Sequence, residues 1–114
     1  YDSEYLTVQA DEEMIEQVLI NLIKNAIEAA DHSDNAKIEI NGTYTENAVI
    51  ITITDNGPGI IPEAIDRIFV PFFTTKKTGS GIGLALSRQI MQMHNGSLSV
   101  VSEPDVRTTF TLRF

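Results

Sequence analysis

The chain has 114 residues, 42% of them apolar, enough for one domain with its own hydrophobic core and too few for two. Sixteen acids against eight bases leave a net charge of −8, a field that repels nucleic acid and anionic lipid. Cysteine is absent, which excludes disulfides, thiolate metal sites and thiol nucleophiles, and two histidines (His32 and His94) are too few for a histidine-rich metal centre. No apolar run approaches the roughly 18 residues of a membrane span. The opening residues, YDSEYLTVQADEE, do not read as a signal peptide.

Tyr5–Gln9 alternates as a short strand. Asp11 then precedes a long helical pattern with acids at positions 12 and 13, where a helix N-terminus favours negative charge. Ile15, Val18, Leu19, Leu22, Ile23, Ala26, Ile27 and Ala30 recur at steps of three and four and predict one wide buried stripe. The polar stretch 31–36 ends that helix. Lys37–Thr45 and Ala48–Thr54 predict a hairpin turning at Glu46–Asn47, with Ile38, Ile40, Val49, Ile51 and Ile53 at the alternating apolar positions. DNGPGI (Asp55–Ile60) is a turn cluster, and Pro62 opens a short helix through Phe69. Residues 70–83 read as a loop. Leu84–Met93 is helical, with Leu86, Ile90 and Met93 on one face, and Asn95–Gly96 stops it. Ser97–Ser102 and Val106–Phe114 predict two last strands turning at Glu103–Asp105. This order implies a two-layer α/β sandwich: a mixed, largely antiparallel sheet of about five strands covered on one face by three helices.

Opposite the apolar stripe of the first helix lie Gln17, Asn21, Lys24, Asn25 and Glu28. Asparagine is a weak helix former, so Asn21 and Asn25 one turn apart are an odd choice for plain solvent. They suit a hydrated Mg²⁺, which prefers hard oxygen donors and keeps several waters. A solvated face that happens to carry asparagine fits the same residues.

Two glycine clusters are open to two readings in the same way. Asp55, Asn56, Gly57 and Gly59 follow a strand, and such residues ordinarily mark a turn. An acid at a strand end with glycines after it can also meet a ligand unobstructed, and a carboxylate, being acceptor-only, would pair with a donor such as an exocyclic amine. Gly79, Gly81 and Gly83 open a helix whose amides could hold an anion, with Lys76 and Lys77 just before them. The spacing matches neither GxGxxG nor a P-loop, and a tight turn explains the glycines equally well.

Taken together and in this order, the clusters resemble the ATP-binding catalytic domain of bacterial sensor histidine kinases over nearly the whole chain, from about Val8 to Phe114. Gln17–Ala26 is similar to the family's N box, Asp55–Ile60 to its first glycine box, Ile68–Lys76 to its F box and Gly79–Leu84 to its second glycine box. The resemblance implies the ATP-binding sandwich shared with gyrase, the mismatch-repair ATPases and the ninety-kilodalton chaperones. It implies ATP and Mg²⁺ as cofactors. Asp55 would accept from the adenine amino group, with Thr108 supporting it through water and Gly59 letting the base approach the backbone. Asn25 would ligate the metal, and Asn21 and Lys24 would lie by the reacting phosphates. Gly57, Ile60, Phe72, Lys76, Lys77, Gly79, Gly81, Ile82, Gly83 and Leu84 would line the nucleotide, residues 70–83 forming a lid.

By the same resemblance, residues 1–114 are a single catalytic domain that donates the γ-phosphoryl group to a histidine on its own dimerisation domain, upstream, and so indirectly to a response regulator. The domain is expected to be cytoplasmic, to touch neither membrane nor nucleic acid, and to be a monomer alone and a homodimer in the full protein. The superfamily's ATPases carry a glutamate base four residues before the metal asparagine; here that place is Asn21, which cannot take a proton. This favours transfer over hydrolysis. The alternatives are a regulatory nucleotide-binding module or an ATPase without kinase activity. Two departures stand out: Glu28 where many relatives are basic, and Arg107 where a glycine is usual before Thr-x-Phe. If that glycine supplies a positive φ, either Arg107 is strained or the turn differs.

Overall fold

A computed structural model describes residues 12–30, 35–45, 47–73 and 82–114. The long helical pattern forms α1 (Glu12–Ala30). Val18, Leu22, Ala26 and Ala30, four residues apart, are at most 2% exposed and make the ridge that faces the core. Ile15, Leu19 and Ile23 pack beside it half-buried. Ile27, expected in the stripe, is 54% exposed, because it lies about 100° round the helix from Ala26 and the ridge does not reach that far. The predicted Tyr5–Gln9 strand and the Asp11 cap lie outside the described residues.

Two hairpins build the sheet. β1 (Ile38–Thr45) and β2 (Ala48–Asp55) pair antiparallel from Ile38 opposite Asp55 to Thr45 opposite Ala48. Asn47 turns the chain at φ 73, a left-handed conformation that asparagine tolerates. β3 (Ser97–Glu103) pairs with β4 (Arg107–Arg113), and β4 lies beside β2 with Thr108 opposite Asp55 and Phe110 opposite Ile53. The order is therefore β1-β2-β4-β3, antiparallel throughout, so the described part of the sheet has four strands and no parallel pair.

The helices cover one face of this sheet, α1 chiefly over β2 and α3 (Gly83–Met93) over β3. Beneath them Ile53, Leu98, Phe110 and Leu112 are no more than 5% exposed. Ile40, expected inward, is 54% exposed because β1 is an edge strand that α1 covers only in part. On α3 the buried face is Ser87, Ile90 and Met91; Leu86 and Met93, expected to share it, are 40% and 61% exposed. The helix is rolled so that Ser87 meets α1. It ends in a Schellman motif: Asn95 at φ 59 donates to Gln92 O at 3.1 Å and Gly96 to Met91 O at 2.8 Å.

The helix expected over Pro62–Phe69 is shorter, α2 (Pro62–Ile65). Tight turns follow, Arg67 N bonding to Ala64 O at 2.8 Å and Val70 N to Arg67 O at 2.9 Å. Two causes are visible. Pro71 disfavours helix at Val70, and the turns keep Ile68 in the core, at 8% exposed, with Phe69 edge-on to Phe110 (centroids 6.5 Å apart, planes at 88°). Phe110→Ala removes the ring at this junction and should cost about 3–5 kcal/mol. Tyr44→Ala, on the exposed face, should stay within about 0.5 kcal/mol. Urea unfolding followed by circular dichroism measures both.

Candidate functional site

Asp55 ends β2 with its side chain turned towards the helices and is 2% exposed. Gly57 N donates to Asp55 Oδ1 at 2.9 Å, an Asx-type turn. A carboxylate offers about four acceptor positions, of which this bond takes one. The turn reading therefore holds for Asp55 and does not exclude the ligand reading. Thr108, opposite on β4, is 4% exposed and shares the inward face with Phe110 and Leu112, as its register predicts.

The glycine loop after Asp55 is fixed on both flanks. Asn56 accepts from Lys37 N at 2.8 Å and donates to Asn35 O at 2.6 Å, which ties the loop to the chain entering β1. On the other flank Asp105 N donates to Pro58 O at 2.6 Å and Ile60 N to Ser102 Oγ at 2.7 Å. At the two glycines between these bonds there is no room for a side chain. A Cβ at Gly57 would stand 2.5 Å from Ala29 O; one at Gly59 would stand 2.8 Å from Glu103 O, at a φ of +76°. Ile60 is half-buried and packs against the core.

The β3–β4 turn resolves the question raised by Arg107. The left-handed residue is Asp105, at φ 65, and the turn spans residues 104–106, one later than expected. Arg107 starts β4 opposite Glu103 and forms a 3.0 Å ion pair with it. The turn differs, and no arginine strain results. Thr108 Oγ1 lies 3.1 Å from Ser102 Oγ.

Across the site, Asn21 is half-buried and links the helices: Nδ2 donates to Ser87 Oγ at 3.2 Å and Gly83 O at 3.4 Å, and Oδ1 accepts from Gln17 Nε2 at 3.0 Å. Asn25 follows one turn on, half-buried. Lys24 and Glu28 sit on the exposed shoulder of α1 beside Ile20 and Ile27. α3 starts at Gly83 with Ile82 at the capping position, no side-chain cap and no acid in its first turn. A helix start of this kind suits an anion. Leu84 is half-buried against the core.

The structure does not bring Phe72 to this place. It is 75% exposed at φ 70 and, with Ile82, Leu86 and Gln89, lines an open groove on the outer side of α3 that contains none of Asp55, Gly57 or Thr108. Lys76, Lys77, Gly79 and Gly81 lie outside the described residues. Sequence reasoning missed Ser102 and Ser87. The only signal for Ser102 is its place on the inward face of β3 with Leu98 and Val100; Ser87 shows none beyond its helical spacing from Ile90 and Met91.

Residues 10–114 match the family described as Histidine kinase-, DNA gyrase B-, and HSP90-like ATPase. The chain belongs to that family. It is similar to the signal transduction histidine-protein kinase AtoS of Escherichia coli (strain K12), 44% identical over 97% of this chain and 18% of AtoS. It is also similar to sporulation kinase A of Bacillus subtilis (strain 168), 37% identical over 100% of this chain and 18% of that protein. It thus spans under a fifth of the length of these relatives. Among solved structures, the catalytic domain of histidine kinase ThkA in a nucleotide-free form superposes with a TM-score of 0.81 at 37% identity, covering 94% of this chain and 69% of that one.

As an ATP-binding catalytic domain of the histidine kinase kind, the chain has a glycine loop whose shape its packing contacts fix. Gly59→Ala forces a left-handed alanine against Glu103 O, which should lower unfolding free energy by at least about 1–2 kcal/mol. Gly42→Ala, with nothing within 4 Å of its Cβ, should be neutral or slightly stabilising. Denaturant midpoints separate the two; equal midpoints would contradict the loop geometry.

Proposed function

We propose that this domain binds Mg²⁺-ATP between α1, the glycine loop and the start of α3, and donates the γ-phosphoryl group to a histidine on a separate dimerisation domain. The observation that supports this most is that α1 meets both a loop carrying a buried carboxylate, at Ala29, and a helix start without a side-chain cap, through Asn21. Asp55 suits the adenine amino group because it can only accept. The first turn of α3 suits the phosphates. Gly83 favours that reading, since among the described residues a Cβ there would meet only Asn21 Cγ at 3.8 Å and Nδ2 at 4.0 Å. Packing against the described residues does not require a glycine at that point.

Among the described residues no group of three or more His, Asp or Glu side chains is placed to hold a metal. A Mg²⁺ ion here would take its oxygens from phosphate and water, with the Asn25 side-chain amide oxygen as protein donor. When bound, the ion neutralises phosphate charge; Lys24, Lys76 and Lys77 are the side chains proposed to assist it.

Transfer is favoured over hydrolysis by what Asn21 does. Its amide bridges Gly83 O and Ser87 Oγ and cannot serve as a base. A neutral imidazole nitrogen needs no base, only alignment. His94 does not suit the acceptor role: its Nδ1 lies 2.7 Å from Ile90 O at the C-terminus of α3, a capping contact. We place the acceptor histidine on an upstream dimerisation domain, the response regulator beyond it, and the domain itself in the cytoplasm.

Thermal or urea unfolding with and without Mg²⁺-ATP tests the reading. At a hundredfold excess over Kd, ATP should add about 2.7 kcal/mol. Asp55→Asn keeps an oxygen for Gly57 N but turns an NH₂ towards the adenine amine, so the gain should vanish while the fold persists. Gly83→Ala should leave stability equal or up to about 1 kcal/mol higher, yet reduce the gain from ATP. No gain in the unaltered chain would refute the proposal.

A further inference from the structure

Ser102 stands where three separate segments meet. Its Oγ accepts from Ile60 N at 2.7 Å, lies 3.1 Å from Thr108 Oγ1 and 3.3 Å from Arg107 O. A Cβ added to Gly59 would be 3.0 Å from the same oxygen, so the glycine loop rests against it. One hydroxyl has one proton and two lone pairs. The Ile60 amide occupies one lone pair, and the Arg107 carbonyl can only accept. All three bonds form together in one arrangement alone: the Ser102 proton goes to Arg107 O, and the Thr108 hydroxyl donates to the remaining lone pair of Ser102. The reverse arrangement, with Ser102 donating to Thr108, loses the bond to Arg107 O.

Thr108 therefore turns its proton away from Asp55 and offers the site only lone pairs. Directly opposite residues on paired antiparallel strands hold their Cβ atoms about 4.5–5.5 Å apart, and Asp55 and Thr108 are such a pair. Two acceptors stand side by side. Where both face the 6-position of a purine, an amino group there has two N–H donors to satisfy them, whereas a carbonyl there leaves buried acceptors facing an acceptor, and such mismatches discriminate strongly.

We propose that Ser102 is a positioning residue for base selectivity: by fixing the direction of the Thr108 hydroxyl it makes the site prefer a 6-amino purine over a 6-oxo purine. This rests on the nucleotide reading above. Without Ser102 the Thr108 hydroxyl is free to rotate and donate to a 6-oxo group, so selectivity falls while the carboxylate remains.

Calorimetric titration of the chain with ATP and with inosine triphosphate tests this, read as the ratio of the two dissociation constants. Ser102→Ala should lower the preference for ATP about tenfold, the scale of one hydrogen bond, and Ser102→Thr, which restores a hydroxyl, should recover most of it. Should alanine prevent folding, Ser102→Cys, close in size and a poor hydrogen-bonding partner, should show the same loss. A ratio unchanged in the alanine or cysteine variant, whether both affinities hold or fall together, would overturn the proposal and leave Ser102 a structural residue. Failure of the unaltered chain to bind ATP would instead refute the nucleotide reading itself. Preference for ATP that survives loss of the Ser102 hydroxyl would refute this inference alone.

Discussion

A carboxylate held out of water at the end of a strand must be answered by donors, and that requirement shapes much of this domain. Asp55 is 2% exposed in a chain of net charge −8. Burial of an ionised group is costly unless hydrogen bonds compensate it. The Gly57 amide supplies one such bond and can do so only because the loop folds back at once. That fold-back needs a glycine against Ala29 O, a second glycine against Glu103 O, and anchors on either side. The carboxylate, the two glycines, Asn56 and the β3–β4 turn are thus one unit.

The second constraint concerns the helices. α1 and α3 approach one another where Asn21 reaches Ser87 and Gly83 O, and this contact sets where the first turn of α3 points. An asparagine on a helix face is intrinsically unfavourable. Here its two donors and its acceptor are matched by groups from both helices, which explains its presence whatever ligand lies nearby. Because the same side chain touches the proposed phosphate-binding turn, packing and ligand geometry are coupled through it.

Much of the fold was legible from period alone. α1, both hairpins and α3 fall within about one residue of their expected ends because alternation and helical spacing are strong over these lengths. What period could not tell was which neighbours would cover a given face. Ile40 alternates correctly yet stays exposed because its strand lies at the edge. Leu86 and Met93 are correctly helical yet lie off the core because Ser87 takes the inner position. The 62–69 helix stopped early because tight turns hold Ile68 and Phe69 on the core, with Pro71 disfavouring helix at Val70; only the proline was readable from the sequence. At the candidate site, the turn at Asp55, Gly57 and Gly59 and the inward register of Thr108 were legible through turn chemistry and alternation, while their roles were implied by the family resemblance alone. Ser102 was not legible, because its partners are set by pairing between β3 and β4 and by a loop forty residues away in sequence. A serine alternating with Leu98 and Val100 looks like any other polar residue in a strand.

The central claim is that the end of β2, the facing residue of β4 and the start of α3 receive one ligand together. Amide-resolved NMR titration with Mg²⁺-ATP tests it most directly. The account predicts that shifts concentrate at residues 55–60, at Thr108 and at Gly83–Leu84, three segments separate in sequence moving with one common dissociation constant. Shifts confined to the exposed shoulder of α1 around Ile20 and Ile27, or none at millimolar nucleotide in folded protein, would contradict it.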